Sequence, residues 1–186
     1  MKSFFKGLLS FSRNNRDRRE YIKPKIKDLN QLVKIEASKI NDEPENFILD
    51  ILQNNEEHII IYRTKYDLDQ KYGLLYINLK IINKKGILLN RIRLIANYTH
   101  KETIEINDIE VFGENQGRGY GSLLLNSLIN FALANSVKVI SGWISNTDID
   151  SLDMLEYFYK KHGFNVILAN DNKNPNKVAD IIWTNT

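Results

Sequence analysis

The segment Gln116-Gly117-Arg118-Gly119-Tyr120-Gly121 is the part of this sequence best suited to hold a ligand. Its glycines let backbone amides come close to a bound group. The helix expected to follow, Ser122–Asn135, adds free N–H groups and the positive end of its dipole, which together favour phosphate. Two familiar phosphate loops do not fit the letters. A dinucleotide fingerprint, G-x-G-x-x-G, counted from Gly117 needs glycine where Ser122 stands. A P-loop needs Gly-Lys before Ser or Thr, and this loop has no lysine.

Other chemistry is largely excluded by composition. The chain has no cysteine, so thiol nucleophiles, thiolate metal sites and disulfides are absent. Its three histidines, His58, His100 and His162, show no helical metal-ligand spacing. The acidic string Asp148, Asp150, Asp153 is not a calcium loop, because its sixth position is Asp153 and its twelfth is Tyr159. No metal is expected. No apolar run approaches the ~20 residues that span a bilayer.

The formal charge of +3 is unevenly spread over the 186 residues. Residues 1–20 carry a net +4 from Lys2, Lys6, Arg13, Arg16, Arg18 and Arg19 against Asp17 and Glu20, leaving the rest near neutral. Nucleic acid is therefore not an expected partner. Residues 1–20 read as a basic extension, flexible or partly helical. An amphipathic foot built on Phe4, Phe5, Leu8, Leu9 and Phe11, touching an anionic membrane or a partner, is the sharper alternative. The missing cysteine and the lack of an export signal fit the cytoplasm.

From Tyr21 to Thr186 the pattern is that of one domain. Ile22–Ile26 reads as an edge strand, and Asp28 as the cap of a helix carrying Leu29, Leu32, Val33, Ile35 and Ala37. Asn41–Glu45 is a polar turn, and Phe47, Ile48, Ile51 and Leu52 are spaced as a second helix. Strands are expected over His58–Arg63, Tyr72–Asn83, Ile87–Tyr98 and Thr103–Val111. After the glycine loop and its apolar helix come a strand (Val137–Ile144), a helix (Ser151–His162, ended by Gly163) and strands at Phe164–Leu168 and Ala179–Thr184. The order is β-α-α-β-β-β-β-α-β-α-β-β.

Two motifs on these elements resemble the GCN5-related N-acetyltransferase (GNAT) superfamily. Gln116-Gly-Arg-Gly119-Tyr-Gly121 is similar to its Q/R-x-x-G-x-G/A coenzyme A loop, and Tyr159-Lys-Lys-His-Gly163-Phe164 to its Y-x-x-x-G-F signature. The resemblance covers residues 21–186. It implies an α+β acyl-CoA N-acyltransferase fold, with a mixed, mostly antiparallel sheet of about six or seven strands and about four helices. The family's fourth and fifth strands splay apart.

The implied reaction is direct transfer of acetyl from acetyl-CoA to an amine. The resemblance assigns the coenzyme to the backbone of Ile109, Glu110 and Val111 and to Gln116, Gly117, Arg118, Gly119, Tyr120, Gly121 and Ser122. Tyr159 stands where the family places its general acid, and Glu105 where one branch carries its catalytic glutamate. Many relatives instead place a carboxylate where this chain has Asn107, and others use water. Simple alternation puts Glu105, Asn107, Ile109 and Val111 on one face of a strand, and Asp108 and Glu110 on the other. Leu152 replaces the family's usual asparagine; Asn146 is a candidate substitute, and Asp150 and Ser151 read as helix caps.

The acceptor is an amine of a small molecule or a protein. Asp42, Glu43 and Glu45 are either an ordinary solvated turn or part of a site for it. A longer acyl donor remains open, as does a non-catalytic acyl-CoA-binding module that docks a partner. The assembly is a monomer or a homodimer.

Overall fold

Alternating apolar residues between Glu57 and Glu110 set up a run of antiparallel strands. The computed structural model describes residues 18–54, 56–66, 73–169 and 174–185. Most of the basic extension, with the proposed amphipathic foot, lies outside the described residues. The elements are β1 (Tyr21–Ile22), α1 (Leu29–Asn41), β2 (Asn46–Gln53), β3 (Glu57–Tyr66), β4 (Leu74–Asn83), β5 (Gly86–Leu88), β6 (Ile92–His100), β7 (Thr103–Glu110), α2 (Tyr120–Ala134), β8 (Val139–Ser145), α3 (Leu152–Lys161), β9 (Asn165–Leu168) and β10 (Lys177–Thr184). The ten strands among the described residues form one sheet, ordered β1-β5-β4-β6-β7-β8-β10-β9, with β3 also on β4 and β2 outside it. Among the described residues only the β7–β8 pairing is parallel. The expected mixed, mostly antiparallel sheet is present, with more strands than the six or seven expected and three α-helices among the described residues.

The continuous apolar run Ile59-Ile60-Ile61 reflects a sheet covered on both faces. Ile59 and Ile61 belong to the large core with α2 and α3, while Ile60 packs with Ile82 against Leu32, Val33 and Ile40 of α1. Asp28 caps α1, accepting from the N–H of Asn30 (2.8 Å) and Gln31 (3.1 Å).

Two expectations are corrected. Residues 46–53 are a strand, not a second helix. A bulge at Leu49, between the pairs Ile48–Tyr62 and Asp50–Ile61, breaks the two-residue alternation. The apolar positions on either side then imitate helical spacing. The strand expected over Ile87–Tyr98 is two strands, β5 and β6. Asn90 in the break accepts from the Glu20 N–H (3.0 Å) and donates to the Arg18 carbonyl (3.3 Å), so it holds the incoming chain.

Candidate active site

The parallel pair β7–β8 is short. Thr103, Ile104 and Glu105 pair with Val139, Ile140 and Ser141, and the strands then part. β7 stays bonded to β6 as far as Glu110, and β8 to β10 as far as Ser145. Two local features accompany the parting. At Gly142 a Cβ would lie 3.2 Å from the Ile106 carbonyl oxygen, so the strands meet closely just there. One residue later β7 carries a bulge at Asn107, between the pairs Ala96–Ile106 and Ile95–Asp108.

The glycine loop lies beyond the end of β7. It leaves a short turn, Gly113–Asn115, and is tied to it by the Gln116 side chain on the Val111 carbonyl (3.2 Å) and by Arg118 Nε on the Glu114 carbonyl (2.8 Å). Gly117 (φ 71°) and Gly119 (φ 82°) are left-handed, and a Cβ on either would meet nothing within 4 Å. Glycine is needed there for backbone conformation, and the open side admits a ligand. Gly119 is the N-cap of α2, which begins at Tyr120 rather than Ser122, and no side chain caps it. The first N–H groups of α2 are therefore available to an anion.

A cleft of about 380 Å³ opens at this helix end. Ile109 and Val111 wall it from β7; Gln116, Gly117, Gly119, Gly121 and Ser122 wall it from the loop; Met154, Leu155, Phe158 and Lys161 wall it from α3. Seven residues singled out from the sequence are thus brought together. Four other coenzyme candidates are not among its walls, and neither are Tyr159 and Glu105. Glu110 binds Arg93 (2.6 and 3.1 Å), Arg118 turns back on the loop, Tyr120 is buried against β3, and Asn146 is exposed, its N–H on the Asn176 carbonyl (2.8 Å). The α3 wall escaped sequence reasoning, although Met154, Phe158 and Lys161 follow the i, i+4, i+7 spacing of one helix face. The capping expectation also shifts. Ser145 accepts from the Thr147 N–H (3.2 Å) to start a 3₁₀ turn over Asn146–Ser151, and Ser151 precedes α3 without a side-chain bond. Asp42, Glu43 and Glu45 are exposed in the turn between α1 and β2.

Tyr159 is wholly buried, its ring edge-on to Phe158 and Phe164 at 5.1 and 5.6 Å. Its hydroxyl has no hydrogen-bond partner among the described residues. Burial pushes its pKa up, and the charges of Asp108 and Asp148 add to this, so it keeps its proton at neutral pH. The register across β6 sets Glu105, Asp108 and Glu110 on one face with Asn97, Ile95 and Arg93. Ile104, Ile106 and Ile109 share the other face with Tyr98, Ala96 and Leu94. The bulge therefore corrects the alternation drawn from the sequence: Asp108 lies on the same side as Glu105. Glu105 sits at the last bridged pair, opposite Ser141, while Asp108 is in the open part of the splay. Burial foremost, then Glu110 and Asp148, raise the Asp108 carboxyl to about 6, against the Ile109 N–H and Arg93, which favour ionisation. Its Oδ1 is buried and has no hydrogen-bond partner among the described residues.

Residues 41–164, two-thirds of the chain, match the model of the acetyltransferase (GNAT) family. The chain belongs to that family, and its class of activity is acyl transfer. No curated protein matches it in sequence. Among solved structures it is similar to an acetyltransferase from Bacillus cereus ATCC 14579, at 16% identity over 89% of this chain and 98% of that one (TM-score 0.47). It is also similar to a GNAT acetyltransferase from Elizabethkingia anophelis with acetyl-CoA bound, at 22% identity over 62% and 77% (TM-score 0.41). Ard1 from Thermoplasma volcanium is 14% identical over 59% and 70% (TM-score 0.45).

Proposed function

We propose that the protein is an N-acetyltransferase that moves the acetyl group of acetyl-CoA directly to an amine. The observation that carries this reading is the cleft, which joins an uncapped helix N-terminus to the splay of β7 and β8. The first suits a pyrophosphate, and the unpaired strand edge suits the amide-bearing pantetheine arm. Lys161 adds a positive charge to the cleft wall.

Acetyl-CoA supplies a thioester whose C–S bond breaks as the C–N bond to the amine forms. The chain supplies the rest. The Val111 end of β7 offers an N–H to the thioester carbonyl oxygen as negative charge builds on it. Asp108 takes the proton that the acceptor ammonium loses to become the attacking neutral amine, a role suited by a carboxyl raised to about 6. Tyr159 returns a proton to the departing sulfur, and its hydroxyl is held protonated for that purpose. Glu105 remains the competing base.

Calorimetric titration with coenzyme A, followed by mass spectrometry of an amine panel incubated with acetyl-CoA, tests the reading. Binding together with acetylated amines is the expected result. Absence of coenzyme binding overturns it, and binding with no transfer across the panel points to an acyl-CoA-binding module instead.

A further inference from the structure

Arg19, counted with the basic extension in the sequence, is folded into the domain beside the glycine loop. Its guanidinium Nη2 donates to the Tyr120 hydroxyl (2.8 Å) and lies 3.3 Å from Glu57 Oε2. Tyr120 in turn donates to Glu57 Oε1 at 2.5 Å. The Arg19 and Glu57 side chains are only 10% and 8% exposed, and the Tyr120 ring is buried. The guanidinium also lies over the rings of Tyr21 (5.5 Å) and Tyr120 (5.9 Å), and the Arg19 N–H reaches Glu114 Oε2 (3.4 Å) in the turn before the loop. Three parts of the chain, the entry segment, the start of β3 and the start of α2, thus meet in one buried, charge-balanced cluster.

The position of Tyr120 makes this cluster consequential. It stands between Gly119 and Gly121, two residues with no side chain to fix them. The ties through Gln116 and Arg118 both end within the same stretch, at Val111 and Glu114. Tyr120 instead anchors the loop to a strand distant in sequence. Arg19 is not itself arranged as a phosphate ligand, because its charge is directed at Glu57.

We propose that Arg19 is a positioning residue for the coenzyme: by holding the Tyr120 hydroxyl on Glu57, it sets the N–H groups at the start of α2 in the geometry that receives phosphate. This rests on the reading of the cleft as a coenzyme A site. It separates the donor into two parts, since only the phosphates depend on the cluster. A donor ending before the phosphates, acetyl-pantetheine, does not sense it.

The test uses the full chain as wild type, Arg19→Met, Arg19→Lys and Tyr120→Phe, with coenzyme A titrations and steady-state kinetics on both donors. Arg19→Met and Tyr120→Phe are expected to weaken coenzyme A binding and raise KM for acetyl-CoA by ~10-fold, the size of one lost charged hydrogen bond. The kcat at saturation and the KM for acetyl-pantetheine stay unchanged, and Arg19→Lys recovers part of the loss. Equal weakening of both donors, or a fall in kcat at constant KM, overturns the proposal, because a general structural role produces either. If Arg19→Met does not fold, Tyr120→Phe, which keeps the ring, decides by the same readouts. Wild type that binds no coenzyme A sinks the underlying reading and this inference together. Wild type and Arg19→Met binding equally well sinks this inference alone.

Discussion

Glu36 on α1 and Asp108 in the splay are both carboxylates withdrawn from water, and the fold treats them in opposite ways. Glu36, 5% exposed, accepts from Lys39 (2.7 Å) and Lys80 (2.8 Å). Burial alone works to raise its pKa, but the two lysines outweigh it and hold the carboxyl below the usual range. Around Asp108, burial, Glu110 and Asp148 all act in the raising direction. The cation within reach, Arg93, is committed to Glu110 through two hydrogen bonds. Burial by itself therefore does not mark a site. What separates a structural carboxylate from a reactive one is how the fold allots the nearby positive charge.

The contrast is tested most strongly by kinetics. Asp108→Asn is expected to lower kcat/KM by ~10²–10⁴-fold and to remove a rising limb near pH 6, whereas Glu36→Gln leaves both within experimental scatter. Tyr159→Phe should lose ~10²-fold by removing the acid. Glu105→Gln should lose less than Asp108→Asn, and the reverse order returns the base to Glu105.

Smaller effects appear in stability. Glu36→Gln is expected to destabilise the protein at pH 7 by about 2 kcal/mol, less than for a fully enclosed pair because Lys39 is largely in water. The Glu36 contribution is present above the ordinary pKa of 4.5 and fades as pH falls through its lowered native value, so wild type and variant converge in acid. Asp108 has the opposite sign. Its native pKa of about 6 exceeds the ordinary 3.8, so the folded state holds more protons in that window and stability declines as pH rises through it. Asp108→Asn should therefore stabilise the protein at pH 8 by about 1 kcal/mol, discounted for a side chain only partly shielded, and by nothing near pH 3. Urea unfolding at the three pH values measures all of this.

Features written in local chemistry were legible in the sequence. Asp28 caps its helix, Gly163 ends another at φ 82°, and the glycine loop leaves Gly117 and Gly119 open to a ligand, as its composition suggests. Features that depend on strand phase were not. Leu49 and Asn107 are each one extra residue in a strand, and nothing in their side chains declares it. The first bulge made a strand look like a helix; the second put Asp108 on the wrong face of an idealised strand. Arg19 was hidden differently, since its partners Glu57 and Tyr120 are far away in the chain and it sits in a stretch of mixed charges with a net positive sum. The α3 wall of the cleft was visible as a helix face, but only the folded chain says what that face looks upon.

The brevity of the β7–β8 pairing has a mechanical consequence. Three residue pairs are the seam between a block built on β1 to β7 and a smaller one built on β8 to β10. Such a sheet behaves like two plates sharing a short weld, with a gap running on from it. An extended ligand lying in the gap would act as mortar, adding bonds on both sides. Amides flanking the gap, from Ile106 to Glu110 and from Gly142 to Ser145, should then be the ones whose hydrogen exchange slows most when the cleft is filled.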